Sequence, residues 1–207
     1  MPTEDSNIPA QQKGNQHDTV EQITVKTREQ AIGLYYEART RLLDVSNWSQ
    51  IAHGPSSEFT LTDSEGHKIT RLAQQGDKLK IDLPGPGSLI GGGNDWVLIE
   101  QIQDELDSLL DTELTSIRVR PTYNPESDEA TIAHFFTNDA TSTFLIKRFG
   151  TTVSAEIHGR NEIPNTHGNF IDVIRHLSVA MGDLFGFSKP QWKHLTKGLL
   201  DNELKQK

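Results

Sequence analysis

Ser154, Glu156, His158 and Arg160 alternate with the apolar Val153, Ala155 and Ile157. In an extended chain alternate side chains share a face, so an acid, a titratable base and a cation stand in a row. If that face lines a cavity, the row offers acid/base chemistry to a ligand. If it meets water, it is the polar side of a one-sided sheet, which is the plainer reading. Arg118 and Arg120 form a similar ladder. They could grip an anion through paired hydrogen bonds, or pair with acidic neighbours across strands, the commoner arrangement.

The remaining chemistry-bearing residues give weaker patterns. His53, His67, His134, His158, His167, His176 and His194 are scattered through the part read as folded, and none forms the i, i+4 pair of a helical zinc site. The five carboxylates between Asp104 and Glu113 lack the frame of a calcium loop, so they read as a solvated acidic edge. No metal site and no cofactor is expected. A Ser–His–Asp set would converge only in three dimensions, but the chain has no Gly-x-Ser-x-Gly elbow, and Ser88 lacks the downstream glycine.

The stretch IDLPGPGSLIGGGNDWVLIE, residues 81–100, holds five glycines and two prolines. A dinucleotide fingerprint fails at Ile90, where its third glycine belongs, and a phosphate-binding P-loop fails at Gly93, where lysine is required. Neither nucleotide motif is present. The loop reads as a connection between two strands, or as a lid over a pocket.

These residues need elements to hold them. Thr27-Arg28-Glu29-Gln30 matches a helix capping box, and Ala31, Tyr35, Ala38, Leu42 and Val45 follow on one stripe. From Glu58 the period becomes two. Strands are expected at Phe59–Leu61, Lys68–Leu72, Leu79–Leu83, Trp96–Ile102, Ser116–Arg120, Ile132–Phe136, Phe144–Arg148 and Thr152–His158, the last two joined at Gly150. Ile99, Ile102, Leu106 and Leu109 also suit a helix, so residues 99–110 stay open between the two. Phe170 to Leu184 forms a helical stripe stopped by Gly186, and Ser188 with Pro190 opens another, carrying Trp192, Leu195 and Leu199 inward.

The expected fold is therefore α+β: a curved antiparallel sheet or partial barrel of about eight strands, with an N-terminal helix and two C-terminal helices. Residues 1–19 read as a disordered tail and 20–207 as one domain. Net charge is −9, which argues against nucleic acid as a partner. There is no cysteine, no signal peptide and no apolar run long enough to span a bilayer, and the chain reads as cytoplasmic. The lysines of SKPQWKHLTKGLL could lie on a membrane or in a partner's groove, but a terminal helix docked on its own core is the plainer reading.

IDLPGPGS with DWVLIE, AHFFTNDATSTF, and HGRNEIPN with FSKPQWKHLTKGLL resemble a family of bacterial proteins of about this length. That resemblance covers most of the chain from Thr27 onward and implies no catalytic residue. ITVKTREQAIGLYYEARTRLLDVSNWSQI resembles the opening strand, helix and Asp-x-x-x-Trp of START-like ligand-binding domains, which implies a long C-terminal helix and a small-molecule ligand. Three functions compete on these grounds. The first is binding of a small apolar or anionic ligand in a cavity between sheet and C-terminal helices, with Trp48, Trp96, Phe135, Phe136 and Phe144 as apolar lining. The second is an enzyme acting on a small anionic substrate through the polar sheet face. The third is an interaction module, most simply a homo-oligomer. The candidate ligand-binding residues are Arg118, Arg120, His134, Glu156, His158, Arg160 and Trp96.

Overall fold

A computed structural model describes residues 7–52, 57–82, 93–107, 111–128, 131–165 and 184–201. Seven antiparallel strands form one open sheet. In chain order these are β1 (Asn15–Thr24), β2 (Glu58–Thr62), β3 (Lys78–Asp82), β4 (Asp95–Asp107), β5 (Thr112–Pro121), β6 (Thr141–Phe149) and β7 (Thr152–Glu162). Their order across the sheet is β1-β7-β6-β5-β4-β3-β2, with β1 and β2 as edges. Three α-helices lie among the described residues: α1 (Arg28–Leu43), the short α2 (Trp48–Ile51) and α3 (Leu184–Leu199).

Helix α1 starts as its capping box dictates. The Thr27 hydroxyl accepts the Gln30 amide at 3.2 Å, and the Gln30 side chain accepts the Thr27 amide at 3.3 Å. Its stripe, Ala31, Leu34, Tyr35, Ala38 and Leu42, is buried. It packs on one face of the sheet, where Ile117 and Val119 of β5, Phe144 and Ile146 of β6, and Val153, Ala155 and Ile157 of β7 alternate inward. Trp48, Phe59, Leu79, Val97, Ile99 and Leu195 complete one continuous core. Helix α3 closes the grip over β1, β7 and both other helices. Gly198 allows this, because a Cβ there would run into the carbonyl of Ile51.

Three expectations are corrected, and one left open, residues 99–107, is decided. The strand at Lys68–Leu72 reduces to one bridge, Thr62 with Lys68, and Ile132–Phe136 reduces to bridges of Ile132 with Tyr123 and Phe136 with Pro164. Two of the eight expected strands are lost and β1, which was not among them, is gained, giving seven among the described residues. Residues 99–107 are strand, in β4. The 1–19 tail boundary falls inside β1, which pairs with β7 from Asn15. Residues 7–14 also have partners: the Asn161 side-chain oxygen accepts the Gln12 amide at 2.8 Å, and Asn7 donates to Glu105 at 3.0 Å. Finally, α3 runs through both Gly186 and Pro190, where a break was expected. Docking of Leu195 and Leu199 outweighs an interior proline's cost of about 3 kcal/mol. The stripe at 170–183 and the glycine loop at 83–92 lie outside the described residues.

Candidate functional site

Directly paired residues of an antiparallel ladder share a face, so the register assigns each candidate a side. His158 pairs with Thr143, and Thr143 with Arg118. Both stand one residue out of step with the core positions Ile157 and Ile117. Glu156, His158, Arg160, Arg118 and Arg120 therefore occupy the sheet face turned away from the helices. Trp96 shares that face, opposite Lys80 of β3, whose ammonium lies 5.5 Å from its ring centroid.

On this outer face most charges are spent on one another. Lys78 of β3 differs, its buried ammonium lying 4.0 Å from the Tyr123 ring centroid with no hydrogen-bond partner among the described residues. His158 sits between two carboxylates: Nδ1 meets Asp18 of β1 and Nε2 meets Glu156 at 3.1 Å. Burial works against its protonated form, but the two carboxylates outweigh burial and raise the imidazole above its usual range. Arg160 joins Asp18 at 2.7 Å. Arg118 and Arg120 both bind Glu100, Arg120 Nε at 2.7 Å, and these arginines outweigh burial to hold the Glu100 carboxyl low. Glu100 reaches both because β4 bulges there. Ile99 pairs with Val119 and Gln101 with Arg118, leaving Glu100 as the extra residue. The 7–14 segment adds contacts, with the Asn7 carbonyl 3.4 Å from Arg118.

The helix-facing surface differs between its two ends. At the end of the β6–β7 turn the inward carboxylates are matched by arginines. Asp104 takes both arms of Arg39 at 2.7 and 2.9 Å, and Glu113 takes buried Arg148 at 2.6 Å. In the middle, Phe59, Trp48, Phe144 and Trp192 form an aromatic row with successive centroids 5.3, 4.7 and 5.6 Å apart. That row runs from the sheet to the inner side of α3.

At the other end meet the start of β1, the ends of β3, β5 and β7, and the starts of β4 and β6. Asp95 opens β4 on the same face as Val97 and is buried. Its partner is the Phe135 amide at 3.3 Å; His134 Nε2 stands 3.7 Å away, too far for a hydrogen bond. Burial pushes the Asp95 carboxyl up to about 7 and the His134 imidazole down to about 3. His134 Nδ1 accepts the Phe136 amide at 2.9 Å, so the neutral ring carries its proton on Nε2, towards Asp95. Between about pH 3 and 7 the pair is an uncharged acid beside an uncharged imidazole. His134 was a sequence candidate and Asp95 was not. Asp95 directly follows Asn94 in a glycine-rich stretch, where an aspartate reads as turn chemistry. Only the register with Ile81 turns it inward.

No protein-family model and no curated protein matches the chain. Among solved structures it is similar to a protein of Thermus thermophilus, with TM-score 0.43, 13% identity, and coverage of 90% of this chain and 94% of that one. It is also similar to ginseng major latex-like protein 151 from Panax ginseng, at 0.42, 10%, 90% and 97%. Truncated norcoclaurine synthase from Thalictrum flavum gives 0.37, 8%, 94% and 100%. The fold described above rests on the chain's own strand order and register.

Proposed function

We propose that this chain binds a small, largely apolar ligand between the helix-facing surface of its sheet and its C-terminal helix α3. The observation that carries the reading is the asymmetry of the two sheet faces. The outer face neutralises its histidine and arginines internally through Glu100, Asp18 and Glu156. The inner face offers aromatic and aliphatic surface that ends at a buried, uncharged Asp95–His134 pair. Such a surface suits an apolar body with one or two hydrogen-bonding groups, the usual chemistry of small-molecule sites. On the outer face Arg118, Arg120 and Arg160 are each already bound to a carboxylate, and the Lys78 ammonium is buried over the Tyr123 ring, 4.0 Å from its centroid.

Native mass spectrometry of gently purified protein, compared with its denatured mass, tests this. The reading expects an extra mass that disappears on denaturation, or one that returns on adding an apolar aromatic probe. A bare chain mass under both conditions would overturn it.

A further inference from the structure

The same end of the inner face holds a second acid–imidazole pair, and it is built differently. His17 of β1 stands opposite Gly159 of β7. Gly159 has no side chain, and a Cβ there would collide with the His17 ring and with the Glu162 carboxylate. The imidazole therefore lies across β7. The register then slips, so that Asn15 pairs with Glu162, while Asn161 takes a left-handed backbone at φ 57°. The slip brings the Glu162 carboxylate to His17 Nδ1 at 2.9 Å, with side chains only 8% and 6% exposed.

A carboxylate at Nδ1 fixes the proton of the neutral ring there and leaves a lone pair on Nε2. His17 Nε2 is buried and has no hydrogen-bond partner among the described residues. Buried polar atoms are normally satisfied, and an exception calls for a reason. Across β7 the next residue on this face is Ser142, which pairs with Gly159, and beyond it Val119, which pairs with Ser142. The imidazole thus lies one position, Ser142, from the apolar wall that begins at Val119.

We propose that Glu162 and His17 form a hydrogen-bond-accepting subsite for the hydroxyl group of an apolar ligand, a phenol or alcohol. The inference rests on the ligand-binding reading and names the ligand's polar group. His17 Nε2 accepts the hydroxyl hydrogen, Glu162 orients the ring, and no bond is made or broken.

The test titrates the full chain with 2-naphthol and with 2-methoxynaphthalene, which has similar shape and no donor. Fluorescence gives the affinities, and the ¹⁵N resonance of His17 Nε2 in the unsubstituted protein gives the contact. The expected result is naphthol binding about tenfold tighter, with the Nε2 resonance moving for naphthol alone. His17→Phe should equalise the two probes. Equal affinities with an unmoved resonance would overturn this subsite and leave the ligand-binding reading intact. Failure of both probes to bind would overturn both.

Discussion

Asp95 and His134 exchange the usual places of a proton, and the consequence is measurable. Asp95 is raised from 3.8 to about 7, so between about pH 4 and 7 the folded chain holds a proton the unfolded chain has lost. Its contribution to stability therefore falls as pH rises through that window. His134 is lowered from 6.5 to about 3, so the unfolded chain binds a proton that the fold refuses. Its contribution falls as pH drops from 6.5 towards 3. From about pH 4 to 6.5 each state of the pair carries one proton, and the two slopes cancel. Asp95→Asn keeps the acceptor for the Phe135 amide and leaves the His134 slope alone. Relative to the parent chain, its stability in urea should rise by about 1 kcal/mol per pH unit between pH 4.5 and 6.5. Parallel curves would show that the pair does not sit uncharged. Arg148 gives a second expectation at this scale. It is buried against Glu113 and Asp111, so Arg148→Met strands a buried carboxylate. A loss of about 3–5 kcal/mol in chemical unfolding is expected, and a loss below 1 kcal/mol would refute that role.

The legible elements were those whose periodicity runs unbroken. Helix α1, with cap and stripe on one local pattern, and the β6–β7 hairpin, with Gly150 at φ 58°, could be read from the chain. Strand β4 was legible only over Trp96–Ile102, and its continuation stayed open between strand and helix. Ile99 and Ile102 are three apart, a helical spacing, yet both face inward because the bulge at Glu100 resets the alternation. That same insertion gives Arg118 and Arg120 their shared carboxylate, so one unread bulge left open both the length of the strand and which acid the arginines share. Segment 7–14 was illegible for a different reason. Its polar composition cannot build a core, but it can satisfy a single left-handed asparagine. Asn161 accepts from the Gln12 and Lys13 amides at 2.8 and 3.2 Å and donates to the Ala10 carbonyl at 3.2 Å. Asn161→Ala should therefore speed hydrogen exchange at Gln12 and Lys13 by at least about tenfold, each lost bond being worth roughly 1 kcal/mol. Unchanged exchange would show that the segment is held otherwise. Gly198→Val should unseat α3 from α2 and cost about 1–3 kcal/mol of stability through overpacking; a neutral effect would mean the helix can shift to make room.

At the scale of the molecule, the sheet separates two kinds of surface. One carries paired charges bridged by an N-terminal segment. The other carries an apolar floor with two acid–imidazole pairs at the end where β4 and β6 begin and β7 leaves the sheet. The sequence row of Ser154, Glu156, His158 and Arg160 was correctly seen as one face. The apolar alternation of Val153, Ala155 and Ile157 also told which face meets the helices. The partners on the polar face, such as Asp18, depended instead on the register of β1 against β7, which no local pattern encodes. The central claim is that ligand chemistry belongs to the helix-facing side, and methyl NMR tests it directly. Methyl groups of Val97, Val119 and Ile157 face the helices, while those of Leu114, Leu145 and Val20 lie on the outer face. On titration with 2-naphthol, the account expects Val97, Val119 and Ile157 to shift with saturation while Leu114, Leu145 and Val20 stay in place. Shifts confined to Leu114, Leu145 and Val20 would place the ligand on the charged face and contradict it.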